Sequence, residues 1–360
     1  MPSRPRIVVA MSGGVDSSVA AALLLQRGYQ VIGVTMQIWQ QSQTDPRHAG
    51  CCSLGAVEDA RRVARALGIP YYVLNFREEF RRLVIEDFLN EYAQGRTPNP
   101  CLECNRSIKF DHLMKKADEI GCSLLATGHY ARTRFDKRYR RWRLLRAKAA
   151  SKDQSYALYM LDQVTLARVR FPLGELPDKA ETRAIARDLG LPVAEKPDSQ
   201  EICFVSEAGG YREFLCATRP SAVKEGEIVD TRGRVLGTHA GVAHYTIGQR
   251  KGLRLNIDGR PLYVLQVEPQ SNRVVVGSDD GLFTREVRFL DELRSVERRT
   301  RVEGKIRYNM SPARATLYPG DVARVVFDEP VRAVTPGQAA VFYRGDAVVA
   351  GGRILGRGES

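Results

Sequence analysis

Apolar positions in the first part of the chain fall into two alternating patterns. The unbroken apolar run at 7–11 and the largely apolar segments at 31–37, 71–75 and 123–127 read as strands, because a strand covered on both faces needs no polar alternation. Between them apolar residues recur at helical spacing, which predicts helices over 17–26, 55–67, 80–92 and 109–120. Strand and helix alternating in this way predict an α/β fold, a doubly wound parallel sheet with ligands at the carboxyl ends of its strands. Met36, ending the second strand, and Gly128-His129, following the fourth, should line one crevice. Helical patterning runs to about Cys216. From Gly226 onward short strands are expected at 262–267, 273–276, 305–308, 313–317, 322–327 and 340–343, the spacing of small β-domains or a barrel. Breaks between Ser206 and Gly226 and near Asp279 divide the chain into a catalytic domain (1–210), a small β-rich domain (211–278) and a C-terminal β-barrel (279–360).

The first strand runs straight into Ser12-Gly13-Gly14-Val15-Asp16-Ser17, and helical patterning resumes at once. Glycines let backbone approach an anion, a helix start offers N–H groups and a positive dipole end, and Ser12, Ser17 and Ser18 add hydroxyls. No Gly-Lys-Ser/Thr follows, so no lysine within the loop reaches a β- or γ-phosphate. The string resembles the pyrophosphatase loop of enzymes that split ATP between its α- and β-phosphates. By itself it indicates an adenylating enzyme.

The net charge of +13 favours polyanions. It is concentrated at 132–148, where nine Lys or Arg and one acid, Asp136, are interleaved with Phe135, Tyr139 and Trp142. That segment reads as a hairpin turning at Asp136-Lys137-Arg138, suited to nucleic acid. No apolar run is long enough to span a bilayer, and the N-terminal residues lack the layout of a signal peptide. Seven cysteines in 360 residues fit a reducing interior better than a disulfide scaffold. The cytoplasm is the expected compartment.

Two sulfur motifs carry the most specific chemistry. In Thr97-Pro98-Asn99-Pro100-Cys101-Leu102-Glu103-Cys104-Asn105 the prolines stiffen an extended approach to a helix-like stretch at 107–116. Cys104 is therefore expected near a helix N-terminus, which favours the thiolate. Cys203 lies in Asp198-Ser199-Gln200-Glu201-Ile202-Cys203-Phe204. Cys122 and Cys216 read as small buried hydrophobes. No second cysteine pair or His-x-x-x-His accompanies Cys101/Cys104, which makes structural zinc the weaker reading.

With M-S-G-G-V-D-S-S-V, A-T-G-H-Y-A-R, K-D-Q-S-Y-A-L, T-I-G-Q-R-K-G-L and P-G-Q-A-A-V-F-Y, these motifs resemble, in order and over nearly the full length, the tRNA-specific 2-thiouridylase family. The resemblance implies a PP-loop domain of the adenine-nucleotide α-hydrolase type and 2-thiolation of the wobble uridine in tRNAs for Lys, Glu and Gln. It implies ATP held by Ala10, Met11, Ser12, Gly13, Gly14, Val15, Asp16 and Ser17, with Met36 and Gly128 at the adenosine and Asp16 a partner for Mg²⁺. Cys203 would carry a persulfide from a sulfur-relay protein or cysteine desulfurase. Its outer sulfur replaces the adenylated C2 oxygen as AMP departs, and Cys104 resolves the persulfide as a Cys104–Cys203 disulfide. Asn99, Pro100, Cys101, His129, Lys152, Asp153, Gln154, Arg307, Tyr308 and Gln338 match tRNA-contact positions, and the barrel is implied to contact tRNA.

One position departs from the better-known branch of the family, which has aspartate where this chain has Cys101. Either Cys101 is a tolerated replacement, or Cys101, Cys104 and Cys203 hold a [4Fe–4S] cluster whose open iron binds hydrosulfide. Cys51-Cys52 add thiols of unassigned role. Two readings from other classes compete: a PP-loop synthetase acting on a small molecule, and a non-catalytic RNA binder. AMP release that depends on tRNA separates all three.

Overall fold

The computed structural model describes residues 4–39, 54–198, 202–206, 208–220, 223–253, 255 and 260–358. Cys51, Cys52 and Ser199-Gln200-Glu201 lie outside the described residues. The chain forms two compact units, one of residues 1–84, 101–207 and 346–348, the other of 85–100, 208–345 and 349–360.

The first unit is built on a parallel sheet of five strands in the order β3-β2-β1-β4-β7: β1 (Arg6–Ala10), β2 (Gln30–Gln37), β3 (Tyr71–Asn75), β4 (Leu124–Ala126) and β7 (Val169–Arg170). Its strand order reverses at β1, with β2 on one side and β4 on the other, and at such a point the connections leave a crevice at the strands' carboxyl ends. Ile7, Val8 and Val9 are fully buried, which explains the unbroken apolar run of β1. Helix α1 (Val15–Gln26) follows after four residues and buries Val19, Ala20, Ala21 and Leu24 against the sheet and Val63 of α2 (Leu54–Ala66). Helix α3 begins at Pro100: Pro100–Glu103 winds normally, Cys104–His112 is wound wide in π-helical turns, and Leu113–Glu119 winds normally again. The Leu113 N–H donates to Ile108 O, five residues back. This helix starts earlier than the 107–116 pattern suggested, because proline is well tolerated at a first helical position, where its missing N–H is no loss. Helix α4 (Lys179–Asp188) is capped by Asp178, whose carboxylate accepts the Glu181 N–H at 2.8 Å.

An antiparallel hairpin, β5 (Ala131–Asp136) and β6 (Arg141–Arg146), projects from the same unit. Its turn takes in residues 137–140, two residues further at its far end than the sequence suggested, which leaves Tyr139 and Arg140 outside β6 and puts Asp136 in β5.

The second unit holds a four-stranded sheet, β10-β11-β8-β9, made of β8 (Gly226–Asp230), β9 (Val235–His239), β10 (Tyr263–Glu268) and β11 (Arg273–Gly277). The remaining strands, β12 (Phe283–Leu290), β13 (Thr300–Lys305), β14 (Ala313–Tyr318), β15 (Val322–Arg332), β16 (Ala339–Arg344) and β17 (Ala347–Arg357), close a six-stranded antiparallel barrel, with β12 paired to both β15 and β17. The strand expected at 305–308 lies instead at Thr300–Lys305. Val302 and Gly304 point inward while Arg301 and Glu303 are exposed, the alternation of a strand covered on one face. Arg307 and Tyr308 consequently sit in the bend after the strand.

Candidate functional site

The crevice at the carboxyl ends of β1, β2 and β4 collects Ala10, Met36 and Gly128 around the Ser12–Ser17 loop. Gly13 has φ of +69°, and a Cβ there would stand 2.1 Å from Ala56 O, so only glycine fits. Gly14 is the extended N-cap of α1 and supplies no side-chain cap, which directs the first-turn N–H groups toward the loop. The Ser12 N–H donates to Ser17 Oγ at 3.1 Å, and the Ser17 and Ser18 hydroxyls donate to Gly14 O at 3.2 and 2.9 Å. From behind, Thr35 Oγ1 donates to Met11 O at 2.6 Å and itself accepts from Tyr71 at 2.8 Å. The cradle is therefore held in shape by its own hydroxyls and by β2 and β3.

Gly128 closes the other wall. A Cβ on it would lie 2.6 Å from Ser17 N and 2.7 Å from the Asp16 carbonyl carbon, both backbone atoms. Gly128→Ala should therefore displace the first turn of α1, costing about 1–3 kcal/mol of stability and about tenfold or more in ATP affinity. Thermal unfolding and calorimetric titration with ATP check this; wild-type values for both would show that the turn yields without cost.

Cations that the loop lacks come from distant segments. Lys179 Nζ lies 2.6 Å from Asp16 Oδ1, which also accepts the Tyr130 hydroxyl at 2.8 Å. Lys196 Nζ donates to Gly13 O at 3.1 Å and to Asp59 Oδ2 at 2.6 Å. Asp198 joins Lys179 (2.8 Å), Lys152 (3.0 Å) and Arg183 (3.7 Å). Burial alone would raise the Asp198 carboxyl, but hydrogen bonds from Lys179 and Lys152 outweigh it and hold it below the ordinary carboxylate range. Burial likewise opposes, and Lys196 with Arg62 overcomes, the same tendency at Asp59. The phosphate cradle is thus ringed by ammonium groups already paired with carboxylates. Of these groups the sequence motifs contained Asp16, Lys152 and Asp198, whereas Lys179, Lys196 and Asp59 lie outside them.

The described cysteines lie outside any disulfide. Cys104 is buried at the fifth residue of α3, whereas the first-turn position expected for it belongs to Cys101, which is exposed. Beside Cys104, buried Asn105 donates to Ala157 O at 2.9 Å. Cys203 is half-buried and opens the helical turn Cys203–Ser206, anchored by Phe204, whose ring packs edge-on against Phe80 and Trp39. Cys122 is fully buried, as expected; Cys216 is exposed, contrary to expectation, because it lies on the outer side of the short helix whose buried residues are Phe214 and Leu215. Among the described residues no group of three His, Cys, Asp or Glu side chains could hold a metal ion.

The remaining candidates divide by what their side chains do. His129 Nδ1 meets Thr127 Oγ1 at 2.7 Å, and its ring packs against Phe110 and Phe171. Burial, aided by the Lys109 charge, pushes its pKa well below the usual value, so it is neutral near pH 7. Gln154 braces the hairpin: its Oε1 accepts the Tyr130 N–H at 2.9 Å while its own N–H donates to Tyr130 O at 2.8 Å. Asp153 accepts the Ala147 N–H at 3.0 Å and the Ser155 hydroxyl at 2.8 Å. In the second unit Gln338 Nε2 donates to Thr97 O at 2.9 Å, which fixes the approach to Asn99-Pro100. Arg307 donates to Arg332 O at 3.0 Å, and Tyr308 is exposed beside Lys305.

Comparison with known proteins adds the following. Residues 5–207 match a family model described as the tRNA methyl transferase HUP domain, 212–278 a tRNA methyl transferase PRC-barrel domain, and 279–354 an aminomethyltransferase beta-barrel domain. A protein of Moorella thermoacetica named tRNA-specific 2-thiouridylase MnmA is 52% identical over 354 residues, covering 96% of this chain and 98% of the relative. One of the same name from Clostridium botulinum is 49% identical over 359 residues, 98% of each. Among solved structures, a 4-thiouridine synthetase–RNA complex with bound ATP matches with a TM-score of 0.37 and 25% identity, over 56% of this chain and 45% of that one.

Proposed function

Because the chain belongs to the tRNA-specific 2-thiouridylase family, we propose that it is an ATP-dependent tRNA sulfurtransferase that converts the C2 carbonyl of the wobble uridine to a thiocarbonyl. Its acceptors are the tRNAs for Lys, Glu and Gln, and it works in the cytoplasm. The observation that carries this reading is a phosphate cradle ringed by Lys179 and Lys196 in the unit that also holds two cysteines outside any disulfide, Cys104 and Cys203. Methyl transfer, the wording of the domain description, would leave both the cradle and the thiols unused.

Carbonyl oxygen is a poor leaving group, and the cradle corrects that. The loop N–H groups and Lys196 hold the β- and γ-phosphates, so the C2 oxygen attacks the α-phosphorus and pyrophosphate departs. The C2 oxygen is then an ester of AMP. Cys203 carries a persulfide received from a relay protein or desulfurase, and its outer sulfur attacks C2. The Cys104 thiolate attacks the Cys203 sulfur, the S–S bond breaks toward the substrate, and C2 keeps the sulfur as AMP leaves. The resulting Cys104–Cys203 disulfide awaits an external thiol. Asp16, a single carboxylate beside the cradle, fits Mg²⁺ in the way that ion usually binds, with phosphates and water completing the shell. There it would offset phosphate charge.

The test mixes protein, ATP, Mg²⁺, a persulfide donor and unmodified tRNA, and measures AMP and 2-thiouridine. AMP should form only when tRNA is present. AMP formation without tRNA would favour a small-molecule synthetase, and no AMP at all a binding protein.

A further inference from the structure

The β5–β6 hairpin carries features that its own stability does not explain. Arg134 and Arg143 are direct cross-strand partners, and like charges placed opposite one another weaken a ladder. Arg140 adopts φ of +48° in the turn, a left-handed position where asparagine or glycine is less strained. Charge is barely compensated. Arg143 reaches Asp136 at 3.4 Å and Arg132 reaches Asp346 at 2.6 Å. Among the described residues Arg134, Lys137, Arg138 and Arg140 have no acidic partner, and all four are exposed.

Aromatic rings lie against Arg138 and two neighbouring arginines, Arg143 and Arg170. The Tyr139 ring, itself exposed, lies 5.5 Å from the Arg138 guanidinium and 5.1 Å from that of Arg143. Phe135 and Trp142, a cross-strand pair, meet edge to face at 5.6 Å, and Arg170 lies 6.0 Å from the Trp142 ring. The Gln163 side chain accepts the Trp142 N–H at 2.8 Å and donates to its carbonyl at 3.1 Å, on the side of β6 that pairs with β17 at Leu145. A hairpin that carries several exposed, uncompensated guanidinium and ammonium groups suits a polyanion of regular charge spacing.

We infer that this hairpin is a phosphate clamp for the tRNA backbone, with Lys137, Arg138, Arg140 and Arg134 as its contacts and Tyr139 as the ring against which Arg138 lies. The inference rests on the reading of the enzyme as a tRNA sulfurtransferase. It adds a binding element whose contact is independent of base sequence.

The test compares the full-length protein with a triple variant, Lys137→Gln/Arg138→Gln/Arg140→Gln, and with Arg138→Lys/Arg140→Lys, which keeps the charge. Each lost phosphate contact should lower the slope of log Kd against log salt by about 0.7–0.9, so the Gln variant should lose about 2–3 from that slope. Its KM for tRNA should rise about 10–100-fold with kcat at saturating tRNA and ATP affinity unchanged. The Lys variant should stay close to wild type and shows that the hairpin still folds. A wild-type salt slope and KM in the Gln variant would overturn the inference. So would intact tRNA binding with impaired sulfur delivery, which would make the hairpin a dock for an acidic protein donor. Failure of the wild-type protein to bind or thiolate tRNA would instead remove the functional reading itself.

Discussion

Cys203→Ala and Cys104→Ala should each reduce 2-thiouridine formation by about 10³-fold or more, because each thiol forms or breaks a covalent bond in the transfer. Affinity for ATP should stay at the wild-type level in both, since the cradle is built by Ser12, Ser17, Lys179 and Lys196. The two variants should fail differently. Without Cys104, the Cys203 persulfide still attacks C2 but the S–S bond is not resolved, so a protein–tRNA adduct should accumulate that dithiothreitol releases. Without Cys203 no adduct forms. Denaturing gels with labelled tRNA, run with and without reductant, read this directly. Cys101→Ala should keep most of the activity, because its thiol is exposed on the first turn of α3 while Cys104 is buried. Loss of activity in Cys101→Ala together with iron-dependent turnover would overturn the relay in favour of a cluster.

What could be read from the chain was what local physics writes locally. Strand β1, the glycine loop and α1 occupy adjacent positions, and each signals its state through unbroken apolar residues, a forced positive φ at Gly13 and helical spacing. The second barrel strand was misplaced for the opposite reason. Thr300–Lys305 buries only one face, so its signal is an alternation diluted by Arg301 and Glu303, and the apolar tail at Ile306 drew the strand too late. Helix α3 was started late because Pro98 and Pro100 read as an extended approach, although proline at a first helical position is one of the better ways to begin. The cationic ring was out of reach altogether. Lys179 lies 163 positions from Asp16, and Lys196 lies 183 positions from Gly13. Only the closure of the sheet and α4 brings them together. For Gln154 and Asp153 the motif was visible but the bonding was not: both spend their polar atoms on the hairpin's base.

The double variant Lys179→Met/Lys196→Met should lose about 10²–10⁴ in kcat/KM for ATP, as expected when two charge-assisted contacts worth about 1.5–3 kcal/mol each are removed. Met keeps most of the stem length, so packing changes little. In the free enzyme each ammonium is already satisfied, Lys179 by Asp16 and Asp198, Lys196 by Asp59 and Gly13 O. ATP binding therefore exchanges carboxylate partners for phosphates, and the gain is the difference between the two. That sets a second expectation. Removing the lysines leaves Asp59 with Arg62 and Asp198 with Lys152 and Arg183, so the free protein should melt somewhat earlier while its stabilisation by ATP nearly vanishes. The pH dependence has a fixed sign. Both carboxyls sit below their ordinary 3.8 when folded, so their contribution is complete above that value and is lost as the pH falls through the lower folded values. Above about pH 5 the ion-pair ring is thus intact in the wild type. An unchanged ATP-induced shift in melting temperature in the double variant would show that the loop N–H groups and Mg²⁺ hold the triphosphate without them.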